Sequence, residues 1–205
     1  MKKLALYAVF ATLFTFGSAF TITHNDTLND SLSTSWVLDK SHSTVQFQIK
    51  HFFTPVTGRF DDYQTDIKFD PEDLANSSID VTIPISSINT QNEKRDNHLK
   101  SEDFFNTNKW PNLKFKSDEI RKTGESTFVA IGALTIRDVT KKIELPFTLL
   151  GVMDHPMMEG TKVAGITANT TINRTDFGVG VGDWAATMVV GDEVNIDLNL
   201  ELNSK

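Results

Sequence analysis

Cysteine is absent from all 205 residues. Its absence excludes disulfide staples, thiol catalysis and a lipid anchor on an N-terminal cysteine. An exported domain without disulfides must be held by its core, and about 170 residues suffice to build one. Tyrosine and tryptophan are scarce, two and three in number, whereas an outer-membrane barrel needs girdles of such residues at both interfaces. Basic residues fall short of acidic ones, 20 against 27, for a net charge of -7. That balance argues against a nucleic-acid partner, whose binders carry a basic patch. Neither a G-x-S-x-G elbow nor a glycine-rich phosphate loop occurs. No strand-helix-strand rhythm runs along the chain, which argues against a parallel sheet.

What is present starts with an export-like layout. Lys2 and Lys3 precede an apolar run from Leu4 to Phe16, and Gly17-Ser18-Ala19 then supplies small residues for cleavage after Ala19. An uncleaved anchor would need about 20 apolar residues. Residues 1–19 therefore read as a signal peptide. Residues 20–35, FTITHNDTLNDSLSTS, are polar and aperiodic and read as a flexible leader. The folded domain is expected over 36–203, in a periplasmic or secreted protein.

The rest of the chain alternates. Val194, Ile196, Leu198, Leu200 and Leu202 alternate with Glu193, Asn195, Asp197, Asn199 and Glu201, giving one dry face and one wet one. The same period of two runs through Val45, Phe47 and Ile49, through Ile79 to Ile85, through Ile143 to Leu149 and through Ala164 to Ile172. Weaker strands are expected over 60–69, 113–120 and 128–136. Pro84 costs its strand one ladder bond and suits an edge or an irregular position. About eight antiparallel strands result. They can close into a barrel or stack as a sandwich, and long strands near Phe60 and Leu198 favour the barrel. Inward small residues such as Ala130, Gly132, Ala168 and Thr170 leave room for a ligand, although a filled core fits the pattern equally well.

Between Ile85 and Leu113 the alternation stops, in NEKRDNHLKSEDFF. Thr90 and Glu93 match a capping box, and Asp96 and Lys100 stand four apart in the favourable order. One short helix is expected over 91–101, with Arg95, His98, Leu99 and Glu102 on a shared face.

Five stretches together resemble the YceI-like family of secreted lipocalin-like proteins: LDKSHSTVQFQIKH (38–51), TGRF (57–60), RDNHLKSEDFFNTNKWPNLKF (95–115), GALTIRDVTK (132–141) and INRTDFGVGVGD with VVGDEVNIDLNLEL (172–202). The resemblance implies an all-β fold, an extended eight-stranded antiparallel lipocalin-like barrel with a helix at its side. It also implies one long apolar ligand in the lumen, a polyisoprenoid or fatty-acid-like lipid, held for storage, transport or stress response, with no cofactor and no enzymatic activity.

The alternating sets nominate the lumen residues Val45, Phe47, Ile49, Phe60, Ile83, Ile85, Phe115, Phe147 and Ile172. His51, Arg95 and His98 are candidate contacts to a polar head group, since an arginine fork binds two oxygens of an anion at once. The charged group of Arg95, Asp96 and His98 reads first as a structural connector that anchors the helix, with Arg95 pairing a carboxylate such as Asp103 or Asp176, and second as a ligand contact. The apolar segment 184–190 suggests a mouth or flap carrying Trp184 and Met188, or a surface for transient membrane contact; an ordinary packed loop is the rival reading. A homodimer is compatible with such a surface. Metal ligation by His42, His51 and His98 matches no zinc spacing, so no metal is expected. An eight-stranded outer-membrane barrel and a secreted hydrolase remain as alternatives.

Overall fold

The computed structural model describes residues 35–204. The signal peptide and all of the leader up to residue 34 lie outside the described residues. Ser35, assigned to the leader by sequence, already begins the first strand. Ten strands form one sheet: β1 (Ser35–His51), β2 (Thr54–Phe60), β3 (Gln64–Lys68), β4 (Ser78–Pro84), β5 (Ile88–Asn89), β6 (Asn112–Lys122), β7 (Thr127–Ile136), β8 (Val139–Asp154), β9 (Lys162–Asn173) and β10 (Val190–Ser204). All neighbours are antiparallel, and β10 pairs with β1 to close the sheet into a barrel. β2 and β3 both pair with β1, and β5 and β4 continue the next position, so the ten segments fill eight positions around the barrel.

The expected single strand over 60–69 is therefore broken at 61–63. The cause lies across the sheet, where β1 bulges between Asp39 and Thr44. Side chains fill the gap. Lys40 Nζ meets Asp62 at 2.6 Å, and the buried Tyr63 donates its hydroxyl to the Ser43 carbonyl at 3.3 Å. The irregularity spreads to the next position, where residues 85–87 form a 3-10 turn and the Asp61 N–H reaches the Ser87 carbonyl. Pro84 sits at the brink of that turn, where a missing donor costs little.

Helix α1 (Glu93–Lys100) is shorter than expected and starts differently. Its cap is Asn92, whose side chain accepts from the Arg95 N–H at 3.0 Å. Gln91 has φ 60°, a left-handed conformation that a helix excludes. Thr90 stands outside and binds the helix sideways. Its N–H and hydroxyl both donate to Asp96 Oδ1, at 2.9 and 2.5 Å.

Chain direction sorts the connections between the two barrel ends. The β1–β2 and β7–β8 turns, the α1 segment and residues 174–189 cluster at one end, the mouth. The β6–β7 and β8–β9 turns lie at the other, the floor. The floor is filled by Phe69, Phe128 and Phe147, whose ring centroids lie 5.1–5.4 Å apart. Trp36 donates its indole N–H to the Phe69 carbonyl at 2.8 Å and seals that end. A second buried cluster, including Ile85, Ile88, Phe104 and Phe177, fastens the α1 segment and the β9–β10 connection at the mouth.

Candidate functional site

Along β1 and β10 the apolar residues face inward, yet Val45, Phe47, Ile196 and Leu198 stay only partly buried. A close-packed core would cover them fully. They border a cavity of about 620 Å³ running through the barrel, within the range that holds one small ligand. The outward rows carry exposed Glu193, Asn195, Asp197 and Asn199. This orientation is the reverse of what the outer-membrane alternative requires, because lipid would meet the charged face.

Val45, Phe47, Ile49, Phe60, Ile83, Phe115, Phe147 and Ile172 all lie on the cavity wall. Ile85 does not. The 3-10 turn rotates it away into the second cluster, where it is fully buried. Among the inward small residues, Ala168 and Thr170 border the cavity, whereas Ala130 and Gly132 are buried and do not line it. Met188 is 85 % exposed and off the wall. Trp184 is on it. Its ring lies 5.0 Å from His98 and 5.6 Å from Phe104, with His98 edge-on to Phe104, so three rings close the gap between α1 and the β9–β10 connection.

The polar residues of the wall are the surprise. Lys50, Lys94, Arg95, Lys114 and Arg174 line it together with His51 and His98, and among the described residues no Asp or Glu does. Lys50, Lys94 and Lys114 are solvent-exposed, so in a chain of net charge -7 positive charge edges the opening of a cavity whose walls are apolar. Arg95 does not pair with Asp103 or Asp176, as its structural reading anticipated. It donates to the hydroxyl and the carbonyl of Thr90, both at 2.7 Å. Asp103 is taken by His98 Nε2 at 2.9 Å and Asp176 by Lys141 at 2.8 Å. The Thr90 contacts use the Nε edge and one terminal nitrogen of Arg95.

Arg174 lies within INRTDFG, where no sequence pattern marks it out, and it is the most buried charge at the mouth, 3 % exposed. Its three nitrogens donate to the carbonyls of Gly191, Val179 and Val190 at 2.7–2.9 Å. Burial pulls its pKa below the usual arginine value, and the nearby Asp192 charge opposes that shift. Gly180, at φ 83°, lies so close to this guanidinium that a Cβ there would collide with it. Arg174 thus clamps the connection over the mouth. Arg137 clamps from the other side: one terminal nitrogen donates to the carbonyls of Phe104 and Gly178, and the guanidinium stacks on Trp110 at 4.5 Å. No local periodicity betrays either arginine, since both act mainly through backbone carbonyls more than a dozen residues away.

One group among the described residues offers a metal-like donor set, and it is not the three histidines weighed from sequence. Asp39, His42 and Glu201 bring their ligand atoms within 4.8 Å of one another on the outside of the β1 bulge. His42 Nδ1 already bonds Asp39 Oδ2 at 2.8 Å. That hydrogen bond raises the His42 pKa and lowers that of Asp39. His51 and His98 stand apart at the mouth.

The profile of the YceI-like domain matches residues 36–202, nearly the whole barrel. The chain belongs to the YceI-like family. A UPF0312 protein of Staphylococcus aureus strain N315 is 33 % identical over 173 residues, 83 % of this chain and 98 % of that protein. Among solved YceI-like structures, a Campylobacter jejuni YCEI protein is 37 % identical, with TM-score 0.66 over 82 % of this chain and 97 % of its own. Burkholderia cenocepacia BcnA is 27 % identical, with TM-score 0.72 over 80 % of this chain and 99 % of its own. A polyisoprenoid binding domain from Saccharophagus degradans shares the fold at 14 % identity, with TM-score 0.64 over 85 % and 100 %. The lipocalin-like barrel inferred from the quoted motifs is thus the fold that YceI-like proteins share.

Proposed function

We propose that this protein is an exported, non-enzymatic carrier that holds one long-chain lipid, isoprenoid or fatty, with its chain in the barrel and its anionic head at the cationic mouth. The observation that carries the reading is the cavity itself: apolar along its walls, edged at the mouth by Lys50, Lys94 and Arg95, and free of carboxylates among the described residues. An uncharged hydrocarbon would gain nothing from that charge, whereas a carboxylate or phosphate head would find both Coulomb attraction and donors. The Saccharophagus degradans domain, by its description a polyisoprenoid binding domain, has the same kind of barrel, so the fold is compatible with a ligand of this class. Export to the periplasm or the exterior is supported by the signal-like N-terminus.

Native mass spectrometry of the mature protein, purified without detergent and then extracted with organic solvent, tests this directly. The expected result is a discrete added mass that extracts as a long-chain lipid. Arg95→Gln should lower its retention about tenfold, the worth of a charge-assisted hydrogen bond. A ligand-free mass from native-host protein, or a bound lipid indifferent to Arg95, would overturn the carrier reading or its head-group half respectively.

A further inference from the structure

The β1–β2 turn has a composition that folding does not explain. Two residues, Phe52 and Phe53, connect the paired His51 and Thr54. Phe52 has φ 52°, and the first central position of such a turn is where glycine relieves the steric conflict. Phe53 is 97 % exposed and Phe52 55 %. Phe52 is strained and half-exposed, with its ring edge-on to His51 at 4.7 Å, and Phe53 is almost wholly exposed, so the tip works against local conformation at one residue and against burial at both. The tip is also tied to the cavity. The Phe52 N–H donates to the Val189 carbonyl at 2.8 Å, beside the exposed Met188. The next residue on each side, His51 and Val190, lines the cavity wall.

We propose that this tip is a membrane-docking element: Phe52 and Phe53, with Met188 beside them, insert into the headgroup region of a phospholipid bilayer and set the mouth of the cavity against it. Size favours a bilayer over a protein. Two phenylalanines bury at most about 500 Å², less than the roughly 800 Å² per partner of a stable interface, and insertion needs no complementary flat surface. Charge agrees in part. Lys50 and Lys94 edge the opening and suit phosphate groups, while the exposed Glu93 and Asp183 at the same end temper the pull. The aromatic tip is therefore the main anchor. The purpose of docking, exchange of lipid between bilayer and cavity, rests on the carrier reading; docking itself does not.

The test is flotation of the whole mature protein with vesicles of phosphatidylethanolamine and phosphatidylglycerol. Wild type floats, and the double variant F52G/F53S floats about tenfold less, as loss of two partly inserted aromatics implies. Its melting temperature stays equal or rises, because glycine relieves the positive φ. Met157→Ser, an exposed apolar control at the floor end, floats like wild type. Flotation of the double variant at the wild-type level, or of M157S at a reduced level, overturns the proposal. So does a wild type that stays unbound but self-associates in ultracentrifugation until Phe53 is replaced, since the tip then binds a second copy. Extraction of lipid from the same preparations separates the two readings. Lipid bound with flotation indifferent to the tip leaves the carrier and removes the docking element. Flotation that follows the tip with no lipid ever extracted does the opposite.

Discussion

Single residues already set measurable properties. His42 titrates against Asp39 at 2.8 Å, which raises its pKa from the ordinary 6.5. The ion pair's support for the fold is complete below that ordinary value and is lost as pH rises through the raised one. Asp39, lowered from 3.8 mainly by the same bond, supplies its share above 3.8 and loses it as pH falls through the lowered value. An NMR titration of His42 should give a midpoint above 6.5 that Asp39→Asn returns toward it. Gly58 makes a different point. It lies opposite Phe47, and a Cβ there would meet the end of the Phe47 ring at 2.3 Å. The ring borders the cavity and can yield into it. Gly58→Ala should thus cost about 1 kcal/mol of stability or less while clearly reducing the bound lipid seen by mass spectrometry. A large loss of stability with normal retention would contradict the wall assignment of Phe47.

At the scale of elements, regular strands were legible and irregular ones were not. β10 follows its alternation from Glu193 to Leu202 because nothing interrupts its ladder with β9. The break at 61–63 answers a bulge some 20 residues earlier, a pairing that no local window contains. α1 lost its expected first two residues to the left-handed Gln91 and the Asn92 cap. Lys50 sits on the wet parity of β1, yet the register shift between Ile49 and His51 brings it to the cavity mouth. The apolar wall could therefore be read from the sequence far better than the charged one. A bulge also governs Gly132. A Cβ there would lie 2.2 Å from the Lys116 carbonyl oxygen and 2.6 Å from the Ser117 Cα, where β6 shifts register. Backbone cannot step aside as a ring can. Gly132→Ala should cost on the order of 2–3 kcal/mol, visible as a lower urea midpoint, and a near-neutral result would mean that β6 rearranges freely.

The whole molecule combines an aromatic-packed floor with a clamped mouth, so on the carrier reading a bound lipid would be a structural component of the loaded form. A lipid bound only to the closed barrel stabilises it by mass action, about 2.7 kcal/mol at a hundredfold excess over Kd. Delipidated protein should accordingly melt about 5–10 °C below the loaded form, and scanning calorimetry of both would show it. The seam between β1 and β10 has a further meaning for how the protein comes into being. β1 pairs early with β2 and β3, but its other edge finds β10 only when that strand, the last of those described, has emerged. Until then the sheet has two open edges and the cavity has no sides. High contact order makes such a closure slow, and during that interval the edges are exposed to aggregation. On the carrier reading, cargo could be enclosed only once β10 has closed the seam, and a chain truncated before Val190 would be an adhesive sheet rather than a weaker container.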